Sequence, residues 1–363
     1  MDQTFLLKIA KDPGCGLCNQ LYALTGCIDH AIYYKNINII IVDNFLKQIN
    51  TIDYCPISEI VDMNAFNAYL LQYNIALIDR NYIHPTINSI VYENSQSKKI
   101  DITHDICGKF LRNSVLRIPI TDILAHDASM LLVTYSLGGI PITLRYQMIN
   151  GKLEKEVFLD FNFTDFRGSP QLYYGGSQNP KQFVSILQNM RFNVNFTSMV
   201  EALSSPFSND TKINVIHLRL EEDAIASFTL QTKITNYKKV LEDKYIAMIK
   251  KYIEPQDLTI ILSSEYNNQV IKFLDDENYN YIKTVNVTKY RELNGLIDLI
   301  IGEKCTNIMI GVYESSFSYT LMYRLFNNPS FDVYSVIIYM NDLSKSEQIY
   351  HKKSSLERTR HNS

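Results

Sequence analysis

The chain has 363 residues, too many for one small core and about right for two domains. Hydrophobic residues make up 46% and charged residues 20%, an ordinary globular balance that excludes wholesale disorder. Thirty-five Lys and Arg against 38 Asp and Glu leave a net charge of -3, so no basic field exists for non-specific binding of nucleic acid.

The opening stretch, MDQTFLLKIAKDPG, has no basic segment followed by an apolar run, so it does not read as a signal peptide. No stretch approaches the ~20 consecutive apolar residues that span a bilayer. Six Cys, at positions 15, 18, 27, 55, 107 and 305, are too sparse for a disulfide scaffold. The sequence therefore leads us to expect a cytoplasmic protein with no membrane segment, or a secretory one had a targeting segment been removed. Asn162, Asn195, Asn209 and Asn286 each open an N-x-S/T sequon, which without a secretory signal reads as chance in an Asn-rich chain.

In chain order, residues 5–10 read as a strand and 12–19 as a glycine-bearing loop. Leu21, Leu24, Ile28 and Ile32 then recur at helical spacing, and 37–42 returns as a strand, completing a βαβ module. From 53 to 166 the pattern is mixed. Residues 167–181, rich in Gly, Ser, Pro, Gln and Asn, read as an irregular loop. Beyond a boundary between 180 and 208 the pattern is regular. Strands are expected at 213–218, 258–262, 281–287, 307–312 and 333–339, with helices at 236–252, 267–275, 291–304 and 316–326 between them. That alternation predicts a parallel, Rossmann-like sheet. The expected organisation is an amino-terminal domain over 1–205, a carboxy-terminal domain over 206–345 and a polar, mobile tail over 346–363.

Three constellations could carry chemistry. The first is GCGLCNQ, residues 14–20, between a strand and a helix. Glycines there let backbone approach a ligand closely, and a helix amino terminus offers free N–H groups to an anion. The spacing is not the dinucleotide G-x-G-x-x-G, because Asn19 stands where the third glycine belongs. A tight strand-to-helix turn explains the same residues. Cys15 and Cys18 form a C-x-x-C, but no second pair exists to complete a four-cysteine metal site.

The second is HLRLEED, residues 217–223, at the carboxyl end of a buried strand, where ligands collect in open α/β sheets. Alternation points His217 and Arg219 to one side of the strand. Arg carries a planar fork that pairs with phosphate oxygens and cannot be neutralised, so Arg219 suits a leaving diphosphate. A structural ion pair with Glu221, Glu222 or Asp223 is the other explanation. The third is ESSFS, residues 314–318, where a strand passes into a helix. Ser315 and Ser316 provide hydroxyls and free N–H groups for a phosphate, or simply cap the helix.

Taken together, in this order, the three motifs resemble those of the GDP-fucose-dependent fucosyltransferases, the superfamily of protein O-fucosyltransferases and α1,2- and α1,6-fucosyltransferases. HLRLEEDAIASF is most similar to the O-fucosyltransferase form. The GCGLCNQ loop is similar to both the α1,6 and the O-fucosyltransferase forms. Matching motifs cover the first 45 residues and about 210–325. The position after Arg219, where many α1,2- and α1,6-enzymes have a second Arg, holds Leu220 here, which argues against those linkages.

The resemblance implies an α/β fold of GT-B type: two Rossmann-like domains facing across a cleft, the carboxy-terminal one holding GDP-fucose. It implies an inverting transferase that moves fucose to a hydroxyl of a protein Ser/Thr or a glycan, with no cofactor and no metal. Arg219 would bind the β-phosphate and stabilise departing GDP, and His217 would sit against the guanosine. Ser315, Ser316 and Phe317 would supply phosphate and base-side contacts, and Asp298 would recognise the nucleoside. Gly16, Leu17, Cys18 and Asn19 would close over the donor from the other domain. Asp12, Glu221, Glu222 and Asp223 are all candidates for a general base, and the sequence does not choose among them. A GT-B transferase for another nucleotide sugar, or a non-catalytic nucleotide-binding scaffold, are the alternative readings.

Overall fold

A computed structural model describes residues 6–9, 16–34, 39–42, 45–46, 55–79, 99–101, 130–137, 140–149, 152–153, 180–204, 212–313, 315–327, 333–338 and 347–351. The chain divides into two compact units, Met1–Arg167 with Gln171–Val194, and Gly168–Pro170 with Asn195–Ser363.

The first unit begins with β1 (Leu6–Ile9), α1 (Leu17–Tyr34) and β2 (Ile39–Val42), the βαβ module expected from the sequence. Leu17, Leu21, Leu24 and Ile28 fall on one face of α1 and are buried, because a 3.6-residue period brings positions three and four apart onto one stripe. α2 (Ile57–Ile60), α3 (Met63–Leu70) and β3 (Ala76–Asp79) follow. Asp62 begins α3 by accepting a hydrogen bond from the Ala65 N–H at 3.0 Å, an amino-terminal cap.

The stretch of mixed pattern supplies β4 (Lys99–Asp101), β5 (Met130–Leu137), β6 (Ile140–Ile149) and the short β7 (Lys152–Leu153). β5 and β6 pair antiparallel, and β6 also pairs antiparallel with β1, so the sheet order is β3-β2-β1-β6-β5-β4. The first sheet is therefore mixed, with a parallel module on one side and an antiparallel pair inserted beside β1. α4 (Pro180–Asn189) starts inside the segment expected to be loop, and its Phe183 packs edge-on against Tyr22 of α1 at 5.5 Å. α5 (Val194–Ser204) follows, beginning at the last residue of the first unit and lying otherwise in the second.

The second unit is more regular. β8 (Ile213–His217), β9 (Leu258–Leu262), β10 (Tyr281–Lys283), β11 (Ile308–Val312) and β12 (Tyr334–Ile338) are parallel neighbours. Between them lie α6 (Glu222–Thr232), α7 (Tyr237–Tyr252), α8 (Gln269–Asp276), α9 (Arg291–Gly302) and α10 (Ser316–Phe326). α6 was not expected: among its described side chains Ala224 and Phe228 alone are buried, too few for a clear apolar stripe. β8 and β11 are buried throughout, which is why they appear in the sequence as continuous apolar runs.

The order β10-β9-β8-β11-β12 is the Rossmann arrangement, reversing direction between β8 and β11. One expectation is corrected here. The segment expected to be a mobile polar tail contributes β13 (Glu347–His351), antiparallel to β12 at the sheet edge. An edge strand pairs through its backbone and tolerates polar side chains, so its sequence carries little strand signal. Glu347 also accepts hydrogen bonds from Lys251 and Tyr252 of α7.

Candidate functional site

In an open parallel sheet, the loops leaving the carboxyl ends of the strands diverge where the strand order reverses, and the crevice between them holds ligands. Here that point lies between β8 and β11. His217 is the last residue of β8, and the Ser-rich motif follows β11 directly. Two of the three constellations therefore meet at the one place the topology selects.

The turn leaving β8 is fixed from outside the motif. The Tyr245 hydroxyl, from α7, donates to the His217 carbonyl at 2.6 Å and accepts from the Arg219 N–H at 3.3 Å. The Leu218 N–H donates to the Leu262 carbonyl at 3.0 Å, extending the pairing with β9 by one residue. Leu218 and Leu220 are wholly buried in the apolar core. Burying each contributes about 1.5–3 kcal/mol, which anchors the intervening Arg219. Leu220 thus fills a core position, and the second Arg of the α1,2- and α1,6-type motif has no room there.

His217 is buried, with Nδ1 at 2.9 Å from the Ser318 Oγ. Its ring lies against Phe317, centroids 4.5 Å apart and planes inclined by 31°. Burial, with the positive charge of Arg219, pulls its pKa down to about 3, so the imidazole is neutral at physiological pH. Ser318 also accepts the Val312 N–H at 3.0 Å, which joins the end of β11, the first turn of α10 and the end of β8 through one hydroxyl. Gly311 makes this approach possible. A Cβ at that position would lie 2.6 Å from Ser318 Oγ and 2.7 Å from its Cβ, closer than packed atoms come. Ser315 caps α10 and is buried, while Ser316 and Phe317 are half-buried in the first turn.

Arg219 is held by acids from its own motif. Its Nη1 donates to Glu221 Oε2 at 2.7 Å, and its Nη2 lies 3.9 Å from Asp223. Asp223 also pairs with Arg291, the first residue of α9, at 3.2 Å. Burial alone would raise the Asp223 pKa, but Arg219, Arg291 and the Ala224 N–H together hold it below the ordinary carboxylate range. Glu222 is exposed in the first turn of α6, where its charge favours the helix amino terminus.

Asp298 lies on α9. Burial pushes its carboxyl up to about 7; a hydrogen bond from Thr284 opposes the shift and the charge of Glu221 adds to it. The influence of Glu221 ties Asp298 electrostatically to the Arg219 corner. Thr284 is itself held by Tyr266, whose hydroxyl donates to its carbonyl at 2.7 Å. The second unit therefore assembles His217, Arg219, Glu221, Asp223, Ser315 and Phe317 around the ends of β8 and β11, with Asp298 on α9 beside Thr284.

In the first unit, α1 begins at Leu17, so Leu17, Cys18 and Asn19 form its first turn rather than a loop. The Gly16 carbonyl accepts from the Gln20 N–H at 3.2 Å. The Leu17 and Cys18 side chains are buried. Asp12 and Glu314 lie outside the described residues. Among the described residues, no group of three or more His, Cys, Asp or Glu could hold a metal ion, and no helix is long and apolar enough to cross a membrane.

Tyr245, Ser264, Thr284 and Arg291 join the site without any sequence motif. Each reaches it from a separate element, so nothing local in the sequence marks them. Ser318 was part of the ESSFS motif, but its bond to His217 crosses 101 residues.

No family model matches the chain, and no curated protein matches it at a significant level. Solved structures do. POFUT1 in complex with GDP-fucose is similar over 93% of this chain and 97% of its own, with a TM-score of 0.54 at 10% identity. POFUT1 in complex with GDP is similar over 93% and 98%, with a TM-score of 0.53 at 12% identity. The fucosyltransferase NodZ from Bradyrhizobium matches over 97% and 98%, with a TM-score of 0.47 at 12% identity. At such identities the likeness is one of fold: the chain has the α/β, GT-B-type fold of the POFUT1 structures.

Proposed function

We propose that the protein is an inverting, metal-independent glycosyltransferase that moves fucose from GDP-fucose to a hydroxyl of a protein Ser/Thr or a glycan. The observation that carries the reading is the position of Arg219. An arginine that is always charged stands at the reversal point of the second sheet, beside a neutral buried histidine and the amino terminus of α10. The likeness in fold to POFUT1 bound to GDP-fucose supports the choice of donor.

In this reading the diphosphate meets Arg219 and the first turn of α10. Breaking the bond between the fucose anomeric carbon and the β-phosphate oxygen leaves both electrons on GDP. The guanidinium and the helix dipole stabilise that charge without a metal ion. The acceptor oxygen bonds the anomeric carbon from the opposite side, which inverts it, and the hydroxyl proton passes to solvent water as that bond forms. Neutral His217 and Phe317 line the guanosine side, and the Asp298 carboxylate accepts the guanine N–H groups. Arg219 and Arg291 hold Asp223 below the ordinary carboxylate range, so it makes a poor proton acceptor. An oxocarbenium-like step with weak base assistance fits such a site.

The test is release of GDP from GDP-fucose without added metal, with protein and glycan acceptors, in wild type and Arg219→Ala. The reading expects the variant to lose roughly 10²–10³-fold in turnover, the scale of removing a charge-stabilising donor. Equal turnover in the two would remove the mechanism's main support.

A further inference from the structure

Glu221 does not do what its place in the chain would ordinarily have it do. It is the residue before the first turn of α6, where a side chain commonly accepts a free helix N–H, yet its carboxylate makes no capping bond. Instead Oε2 accepts from Arg219 Nη1 at 2.7 Å, and Oε1 accepts from the Ser264 hydroxyl at 3.0 Å. Both partners of the ion pair are sheltered, with side chains 23% and 18% exposed. Glu221 therefore links the segment after β8 to the segment after β9, its neighbour in the sheet.

A guanidinium presents five N–H donors in a planar fork. Glu221 takes up Nη1. Nη2 is 3.9 Å from Asp223, close enough for attraction and too far for a hydrogen bond. Among the described residues neither Nε nor Nη2 makes a hydrogen bond. These two atoms form the opposite edge of the fork, and such an edge matches two oxygens of one phosphate. The carboxylate thus fixes the long side chain by one corner and leaves the edge suited to phosphate uncommitted.

We infer that Glu221, braced by Ser264, is a positioning residue that sets Arg219 for the donor diphosphate. The inference rests on the donor reading above, in which Arg219 meets that diphosphate. Two effects of the carboxylate oppose each other, because it orients Arg219 and also repels a phosphate. Its charge is largely compensated by the direct pair with Arg219, whereas an unbraced arginine spreads over many rotamers. Orientation is therefore the larger effect.

The test is titration of the full chain with GDP and with guanosine, in wild type, Arg219→Ala, Glu221→Ala, Glu221→Gln, Ser264→Ala and the double variant Arg219→Ala/Glu221→Ala. Glu221→Ala is expected to lose about tenfold in GDP affinity, the scale of one hydrogen bond to a charged group, with guanosine affinity unchanged. Glu221→Gln, which keeps an acceptor oxygen, is expected to restore most of the loss, and Ser264→Ala to show a smaller one in the same direction. The double variant should bind GDP no more weakly than Arg219→Ala alone, since the two residues act as one unit. Unchanged or tighter GDP binding in Glu221→Ala, equal loss for GDP and guanosine, or additive losses in the double variant would each overturn the inference. A wild type that binds neither ligand, or an Arg219→Ala variant that binds GDP normally, would overturn the donor reading itself and this inference with it.

Discussion

Nδ1 of His217 lies 2.9 Å from the Oγ of Ser318, joining the end of β8 to the first turn of α10 across 101 residues of sequence. Both side chains are buried, and the serine also accepts the Val312 N–H. Ser318→Ala would leave a buried ring nitrogen and a buried N–H unpaired, which costs about 1–3 kcal/mol per unsatisfied group. Thermal or denaturant unfolding of the variant is expected to show that loss, together with weaker guanine-nucleotide binding. Unchanged stability would mean the hydroxyl is not the link described.

His217 carries no charge across the physiological range, because burial and Arg219 hold its pKa near 3. NMR of the imidazole is expected to show one neutral tautomer from pH 5 to pH 9. A titration near its ordinary value of 6.5 would contradict the packing of the site.

Asp298 carries the opposite sign of prediction. Its folded pKa, about 7, is raised from 3.8, so the native state binds a proton more tightly than the unfolded chain, and stability falls as pH rises from about 3.8 to about 7 and levels off above that. Asp298→Asn mimics the protonated form. It is expected to exceed wild type in melting temperature by a margin that grows from about pH 4 to about pH 7 and stays constant above that. In the proposed function the carboxylate is the form that accepts guanine N–H groups, so wild-type GDP affinity should rise as pH increases through about 7 and the Asn variant should lack that rise. A flat profile in wild type would remove Asp298 from nucleoside recognition.

Gly311→Ala tests the close approach of α10 to β11. The new Cβ would meet the Cβ of Ser318 at 2.7 Å, and a Cβ cannot rotate out of the way. Overpacking of this kind costs about 1–3 kcal/mol. The variant is expected to melt lower and to bind GDP less well because Ser318 moves from His217. Normal stability would contradict the close contact of β11 with α10.

Much of the second unit was legible because its strands are buried on both faces and stand out as short apolar runs between helical periods. His217, Arg219 and the serines were legible as residue types unusual at strand ends. What was not legible depends on distant partners. Tyr245 is one tyrosine on an amphipathic helix, and only the fold brings its hydroxyl to the turn after β8. The pairing of Glu221 with Ser264 and that of Asp223 with Arg291 are likewise tertiary. The β5–β6 pair escaped notice because its stretch of sequence showed no consistent period, and β13 because a polar edge strand resembles a tail.

Calorimetric titration with GDP-fucose, GDP and UDP, without added metal, in wild type and Arg219→Ala shows whether Arg219 sits in a guanine-nucleotide site. The account expects wild type to bind both guanine nucleotides in preference to UDP, and the variant to lose most of that affinity. Equal binding of UDP and GDP, or guanine-nucleotide binding that does not depend on Arg219, would contradict it.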